Sequence, residues 1–558
     1  MNRREKKTSY LAMLLTMLSI GVAIGMAFQV VKYGIFPLRI AGLLVGACAI
    51  IPLILLVFHI LLSNFKFFRI VFSFLILCTA LVYGAGNYMI YKANETLDTV
   101  TQLTNQKANK VSLIVLDSSN QGSLKEMEGK MIGVSTAVDG EGSQKELEHI
   151  DAQVEIQVKD YDNIYSMIQG LLDGEVSGII LNEVYRGDLF ELNPNFNVIN
   201  TNAHVLDQVT YFTKNEKKMV EPDRVSITEK PFTILVSGND SYGTLNETSR
   251  SDVNMLLTIN PKTATVLITN VSRDAYVPIA CGADADDSCG QGQMDKLTHT
   301  GLDGVATTEK TIEEFVGVPI NYNVRINFSS FENIVDAVGG IDVYVEEGCA
   351  VEAFYVNGTE GVKEGWNHLN GARALGFVRE RKAYMDGANQ RVRNQQEAIR
   401  ALITKVCSFA TFKNFNQIIS ALNSAFETNM SAKEIKQFIS FQFTQFPEWK
   451  IEGYSMRYEP NTGFCYYLQG EAYVDVPYLD SVDIARQKIE AVIQGKSSET
   501  IEDPNAEGVA GSYSPEQQWE IIHEGELENA QMAGEPIVEE PVYEEPIYEE
   551  YYEEVYYY

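Results

Sequence analysis

Three apolar runs, Tyr10–Val31, Ile40–Leu62 and Ile70–Tyr91, fill most of the first 92 residues of this 558-residue chain. Each reaches the roughly 20 residues that a helix needs to cross about 30 Å of hydrocarbon. None carries a small-residue cleavage site, which argues against a removable leader. The basic segment Asn2–Lys7 and the loop Asn64–Arg69 belong on the cytoplasmic side by the excess of Lys and Arg there. Lys32 and Arg39 in the first connection pull the other way. Three spans then put everything after Tyr91 outside the cell, in a multi-pass protein of the cell membrane.

Beyond the membrane the pattern changes several times. Residues 93–110 are polar and read as a stalk. Residues 111–213 alternate strand and helix signals: VSLIVLD is a strand, and YDNIYSMIQGLLDGEVSGIILNE reads as an amphipathic helix, a turn and a strand. This α/β accessory unit is similar to one lobe of a periplasmic solute-binding protein through its LKEMEGKMIGV and LLDGEVSGII segments. Residues 214–229 are charged, contain Pro222, and read as a linker. From Pro231 strands and helices interleave again as far as Lys496, which argues for a layered α/β sheet. SFENIVDAV is a helix closed by Gly339–Gly340.

The formal net charge is −31, but it is unevenly spread. No Lys or Arg follows Lys496, while 18 acids lie between Glu499 and Glu554, leaving 57 acids against 44 bases elsewhere. Glu pairs, Tyr and spaced Pro make residues 497–558 a disordered acidic tail by composition. Such a balance argues against a nucleic-acid partner. The seven cysteines fit no zinc spacing. Cys281 and Cys289 bracket a short Gly/Asp-rich loop suited to a local disulfide, and Cys407 with Cys465 is a second pairing to consider.

Against the acidic background stands Gly371–Gln396, which gathers Arg373, Arg379, Arg381, Arg391 and Arg393. Guanidinium forks suit phosphate oxygens, although salt bridges to Glu380, Asp386 and Glu397 would also account for them. Three patches at strand ends share the same logic. SGNDSYG (Ser237–Gly243) offers Asp240, SRSD (Ser249–Asp252) offers Arg250 and Asp252, and SRD (Ser272–Asp274) offers Arg273. Lys296 adds another cation, with His299 close by. Ligands of open α/β sheets bind at such strand ends. Two carboxylates beside several guanidiniums point to Mg²⁺ and a phosphorylated ligand. No P-loop and no G-x-S-x-G are present, so a covalent nucleophile on the protein is not expected.

These pieces, in this order, resemble the LytR–CpsA–Psr family of Gram-positive cell-wall enzymes. The match runs over Phe232–Lys405 and includes VSGNDSYG, SRSDVNMLLTINPKT, SRDAYVPI, DKLTHTG, NYNVRINFSSFENIVDAVGGIDVYV and LNGARALGFVRERKAYMDGANQRVRNQQEAI. The three-span anchor and the extra domain look like its capsule-associated branch. The resemblance implies an α/β/α catalytic domain with a mixed central sheet over residues 230–496. It implies transfer of a glycopolymer, a capsular polysaccharide or teichoic acid, from undecaprenyl pyrophosphate to peptidoglycan. It carries Mg²⁺ ligation to Asp240 and Asp252. It carries pyrophosphate binding to Arg250, Arg273, Lys296, Arg379, Arg381, Arg391 and Gln395, with Asp240, Arg379 and Arg381 as catalytic groups. Arg373 and Arg393 are left as structural. Phe328, Phe331, Ile334 and Val335 read as core, with a lipid pocket as the alternative. The family has an acid where this chain has Ala388, and Asp386 is the nearest substitute.

A second function class also fits: a non-enzymatic membrane regulator, or a chain-length partner of polysaccharide-assembly proteins, with the accessory unit and tail as docking surfaces.

Overall fold

A computed structural model describes residues 3–33, 38–62, 65–100, 106–119, 121–214, 225–239, 248–283, 285, 289–408, 426–506, 508, 510–514 and 517–518. Helices stand at all three apolar runs: α1 (Arg3–Tyr33), α2 (Leu38–Leu61) and α3 (Lys66–Val100). Tyr10–Gln29 and Lys66–Lys92 are long and apolar enough to cross a membrane, and so can anchor the chain; the apolar stretch of α2, Val45–Leu61, is shorter. The expectation of three spans is therefore met by two helices of sufficient length. Polar side chains tie α1 to α3. Ser19 Oγ donates to the Ile76 carbonyl at 3.0 Å, and Asn87 Nδ2 to that of Val22 at 2.9 Å, the kind of contact that holds helices together where the hydrophobic effect cannot. No Gly or Pro interrupts KANETLDTV, so α3 runs on to Val100, into the 93–110 segment expected as a stalk, and a strand already begins within that segment at Gln106.

The accessory unit contains β1 (Gln106–Leu116), β2 (Met131–Val134), α4 (Thr136–Asp151), β3 (Gln157–Asp160), α5 (Ile164–Leu172), β4 (Gly178–Asn182), the short helices α6 (Leu189–Leu192) and α7 (Val198–Thr201), and β5 (Ala203–Lys214). Its sheet has the order β3-β2-β4-β1-β5. β1 runs antiparallel to both neighbours, and β2 parallel to both of its own. Both faces of β1 are buried: Val111, Leu113 and Val115 pack with Ile150 of α4, and Ile114 packs with Ile164, Met167, Ile168 and Leu171 of α5. The second of these cores does not end at the unit's edge. It continues into Cys465, Leu468, Ala472 and Val474 of the catalytic domain. Apolar burial therefore joins the two units into one packed body.

The catalytic domain opens with β6 (Phe232–Gly238), β7 (Val253–Asn260) and β8 (Thr265–Val271), then the small pair β9 (Tyr276–Pro278) and β10 (Met294–Lys296). After α8 (Val305–Val316) come β11 (Tyr322–Ile326), α9 (Phe328–Ala337), β12 (Ile341–Val345), β13 (Val351–Ala353), β14 (Glu360–Val362) and β15 (Gly365–Leu369). Next are α10 (Gly371–Arg379), α11 (Gly387–Val406), β16 (Phe426–Thr428), β17 (Lys450–Ser455), β18 (Tyr458–Cys465) and β19 (Gly470–Pro477). The central sheet has the order β16-β11-β6-β7-β8-β17. β6–β11 and β8–β17 are parallel, while β7 and β16 run antiparallel to their neighbours, so the sheet is mixed, as expected. One face buries Leu235, Leu256 and Leu267 against α8 and the helix Leu479–Ile493. The other buries Met255 and Ile268 against α11 and the helix Ala432–Gln445. The layers are α/β/α. Gly339 and Gly340 follow α9 with φ of 83° and 82°, a backbone that side chains resist, which is why the helix stops there.

The pair Cys281–Cys289 forms a disulfide, whereas Cys407 and Cys465 are both free thiols. The tail requires a correction. Ser498 N donates to Glu452 at 2.7 Å, and the Tyr454 hydroxyl donates to Asp503 at 2.8 Å. Further on, Tyr513 N donates to the Ala383 carbonyl at 2.9 Å, and Met385 N to that of Gly511 at 3.1 Å. The chain thus leaves the last helix as a strap that pairs with the loop beside Arg381. Composition obscured this because backbone groups make most of these bonds. Residues 519–558 of the expected disordered tail lie outside the described residues.

Glu146, on α4, is fully buried beneath β1 and β5. Burial first, and then the charge of Asp207, push its carboxyl from 4.5 up to about 7, against the backbone N–H groups of Leu113 and Val209. Asp207 in turn faces His149 at 3.5 Å. An acid with a raised folded value favours the protonated state, so its stability contribution is complete below about 4.5 and is lost as pH rises through about 7. Glu146→Gln should therefore melt several degrees above wild type at pH 8 and close to it at pH 5. Equal gaps at both pH values in thermal unfolding would contradict this account.

Candidate active site

Sheet direction brings the charged patches together. β6, β8 and β11 end on the same edge, and antiparallel β7 begins there. That edge therefore carries Asn239 after β6, Asp252 before β7, Arg273 and Asp274 after β8, and Asn327 after β11. Asn239 N donates to the Ile326 carbonyl at 3.0 Å, and Asp252 N to that of Gly238 at 2.7 Å, which fixes both loops to the sheet. A cavity of about 210 Å³ opens here. Asn239, Asp252, Arg273, Arg379, Arg391 and Gln395 line it together with Val236, Met255, Phe328, Phe331, Leu375 and Val378. Phe328 and Phe331, read from sequence as core or lipid pocket, line the cavity while also packing on the core. Ile334 is not on its wall, and Val335 is fully buried in the core.

Arg273 is the hinge of the charge arrangement. Its Nη1 meets Asp252 Oδ1 at 2.8 Å and its Nε meets Asp274 Oδ2 at 3.2 Å. Lys296, fully buried behind the cavity, reaches Asp274 Oδ1 at 3.5 Å. Burial pushes the Asp252 carboxyl up, but Arg250 and Arg273 outweigh it and hold it well below the ordinary carboxylate range. Asp274 is treated alike: burial raises it, and Arg273, Lys296 and Arg391 prevail. Both carboxylates are ionised at neutral pH. Asp252 Oδ2, Asp274 Oδ1 and Asn239 Oδ1 are buried without a hydrogen-bond partner among the described residues.

The opposite wall comes from α10 and α11. Arg379 ends α10 and lies 4.0 Å from the Phe328 ring centroid, a cation–π contact that orients its fork. Gln395 donates to the Val378 carbonyl at 3.2 Å, tying the two helices of this wall together. Arg391 Nε is buried without a hydrogen-bond partner among the described residues. Burial and the like charges of Arg273 and Arg381 lower the Arg391 guanidinium to about 10. Cations gathered this closely leave charge for an anion to neutralise. Arg381 is exposed at the rim, within electrostatic reach of Arg391. Arg373 donates to the carbonyls of Glu360, Gly361 and His368, and Arg393 to Gln390 and Gly508; both serve the fold, as expected. Asp386 caps α11 through Asn389 N, so it does not stand in for the acid missing at Ala388, which is exposed.

Three expectations from sequence end differently. Asp240 belongs to 240–247, outside the described residues. Arg250 is absent from the cavity wall. It turns toward the accessory unit, where Nη1 meets Asp188 Oδ1 at 2.5 Å, and its other nitrogen lies 4.0 Å from Asp252. Gly187 permits this approach, because a Cβ there would collide with the Arg250 guanidinium. Lys296 is likewise one layer behind the wall. Asp188 also faces His299 at 3.7 Å, and His299 pairs with Asp295 at 2.6 Å. Burial lowers the imidazole, but Asp295 and Asp188 overcome it and raise it to about 9.

A line of alternating charge thus runs from the accessory unit to the cavity. Sequence reading noted Asp274 only as part of the SRD patch, noted His299 only as a neighbour, and passed over Asn239. Asp188 had no local signal at all, because its partner lies in another unit. Removing one member of a buried ion pair costs about 3–5 kcal/mol, since the survivor stays buried and charged. Asp188→Ala should lower the unfolding free energy of the full-length protein by that amount. Asp188→Leu combined with Arg250→Met should recover most of it. Chemical denaturation of the three proteins measures both effects.

The LytR_cpsA_psr family model matches residues 197–483. A polyisoprenyl-teichoic acid–peptidoglycan teichoic acid transferase, TagU, from Bacillus mycoides strain KBAB4 is 33% identical over 243 residues, covering 43% of this chain and 74% of that protein. Its counterpart from Bacillus cereus strain ATCC 14579 is 30% identical over 242 residues, with the same coverage. The crystal structure of B. subtilis TagV is 26% identical and covers 48% of this chain and 99% of that one, with a TM-score of 0.39. The matched half of the chain contains the mixed sheet, its charged edge and both arginine-bearing helices, and the protein belongs to the LytR_cpsA_psr family.

Proposed function

We propose that this protein transfers a glycopolymer from a polyisoprenyl pyrophosphate carrier to peptidoglycan, forming a phosphodiester bond. The two-ended character of the cavity carries this reading. Val236, Met255, Phe328, Phe331, Leu375 and Val378 make it apolar, and Arg273, Arg379, Arg391 and Gln395 make part of its wall cationic and amide-rich. A polyprenyl tail with a pyrophosphate head has the same two-ended chemistry. Teichoic acid is the first polymer to test, because the relatives named above act on it. Capsular polysaccharide is the second, on the resemblance of the anchor and accessory unit to the capsule-associated branch. The three N-terminal helices would hold the site against the outer face of the membrane, where undecaprenyl pyrophosphate presents its head group.

In this reading a peptidoglycan hydroxyl, on muramic acid, attacks the phosphorus nearest the polymer. A new P–O bond forms, the bond to the polyprenyl phosphate breaks, and that phosphate leaves with the electron pair and takes up the hydroxyl proton, directly or through water. Charge grows on phosphate oxygens in a loose transition state, so positioning and electrostatic stabilisation supply most of the rate. Arg379, Arg391 and Arg273 would hold those oxygens from two walls, with Arg381 entering from the rim. Asp252 and Asp274 are too strongly held in the ionised state to be good bases. Their part is to fix Arg273 and Lys296.

Asp252 and Asp240 would hold Mg²⁺. The fit rests on Asp252 Oδ2 and Asn239 Oδ1, buried oxygens of cavity-lining residues without a hydrogen-bond partner among the described residues. Such hard oxygens suit Mg²⁺. Bound there, the ion would neutralise part of the pyrophosphate charge.

Arg379→Ala and Arg381→Ala should each lower transfer roughly 10²–10³-fold, the usual loss when one donor to a developing oxyanion is removed. Arg381→Ala should keep the wild-type melting temperature, because its side chain is exposed. Chelation should abolish transfer, and Mg²⁺ should restore it. Wild-type rates in both arginine variants, measured with lipid-linked polymer and peptidoglycan, would sink the reading.

A further inference from the structure

Among the described residues, nothing covers one face of the two-stranded sheet β12–β15. Along β12, Ile341, Val343 and Val345 point into the core, while Asp342 and Tyr344 point outward. The register pairs Tyr344 with Trp366 and Asp342 with His368. The two rings meet edge to face with centroids 5.5 Å apart. Both remain in solvent, with Trp366 73% and Tyr344 51% exposed. Trp is highly buried in most folds, so a pair of open rings on one sheet face calls for an explanation.

Beside Tyr344 opens a second cavity, of about 200 Å³, with Glu346, Arg393, Glu397 and Arg400 on its wall. The α11 residues that line it are spaced three and four apart. Arg391, Gln395, Ala398 and Ile399 of the same helix line the transferase cavity instead. The two cavities therefore lie on opposite sides of α11, separated by about one helix diameter, ~10 Å.

We propose that Trp366, Tyr344 and the adjoining polar cavity form a glycan-binding subsite, which holds the acceptor glycan strand next to the transferase cavity. The identity of the strand rests on the transferase reading above. A pyranose ring presents C–H bonds on its faces and hydroxyls around its rim. An aromatic face, with its negative quadrupole, accepts the first, and carboxylates and guanidiniums bond the second. This surface offers both within one patch. On one side of the rings His368 and Asp342 are paired at 2.7 Å and Lys405 reaches Asp342 at 3.4 Å. On the other side are the acids and arginines of the cavity.

Other occupants match less well. The rim balances three acids (Asp342, Glu346 and Glu397) against three bases (Lys405, Arg393 and Arg400), whereas an anionic membrane surface attracts a surplus of Lys and Arg. One ring pair is also far smaller than the buried core of a stable protein interface.

The test uses the full-length protein in detergent, titrated with soluble peptidoglycan glycan strands and read by calorimetry. Trp366→Ala and Tyr344→Ala should each weaken strand binding about tenfold, the equivalent of about 1.4 kcal/mol, and leave binding of a polyprenyl pyrophosphate unchanged. Trp366→Phe should keep most of the affinity. Wild-type strand affinity in both alanine variants overturns the subsite. So does loss of binding to phosphatidylglycerol vesicles with strand affinity kept, which would make the face a membrane contact. Arg379→Ala separates the two proposals. Continued transfer by that variant counts against the transferase reading alone, while the strand titration of the Trp366 and Tyr344 variants decides the subsite.

Discussion

The Arg273 fork, held between Asp252 and Asp274, is the contact on which the site depends. Each carboxylate comes from a different strand connection, so the fork sets the spacing between the β7 and β8 ends of the sheet edge. Two buried acids alone would repel, and two buried cations alone would too. Alternating them lets Lys296 stay fully buried, and keeps both acids ionised. Among the described residues of the cavity wall cations outnumber acids, since Arg379 and Arg391 add to Arg273. In the proposed function that surplus is what the pyrophosphate would neutralise, and a local cost of this kind is the usual condition of a functional site.

The same alternation ties the accessory unit to the catalytic domain. Asp188 takes Arg250 out of the cavity and faces His299, while apolar packing of the β18–β19 hairpin closes the rest of the joint. The joint therefore combines apolar area with a buried ion pair. Relative domain motion is the default for small polar interfaces. An interface built this way resists it, because opening would expose the shared apolar core to water and pull Arg250 away from Asp188.

Much of this was legible in the sequence, and the exceptions follow one pattern. Period and punctuation located the central strands and helices, the Gly339–Gly340 stop and the Cys281–Cys289 disulfide, all of which are local signals. Arg379, Arg391, Asp252 and Arg273 stood out because they sit at strand ends or in one dense stretch, and Gln395 came from the family resemblance. What sequence could not give was pairing across distance. Arg250 looked equivalent to Arg273, since both follow a serine at a strand boundary, and only the position of Asp188 separates them. The strap over residues 510–514 was missed because its bonds to Gly348, Ala383 and Met385 are made largely by backbone. Composition carries no record of backbone pairing.

Helix α11 is where these lines meet. Its N-terminal turn is capped by Asp386, its Arg393 holds Gly508 of the strap, one side lines the transferase cavity and another the polar cavity beside Tyr344. A residue every three or four positions reaches one side, so a single helix can serve two surfaces without either side chain set crossing the other. It also packs on the sheet through Ile403 and through Ile399 at the cavity wall, which leaves little freedom to rotate. Any ligand that settles on one cavity is thereby held at a fixed distance from the other. In the proposed reaction a rigid shared helix would keep the acceptor and the lipid-linked donor in register without a moving part.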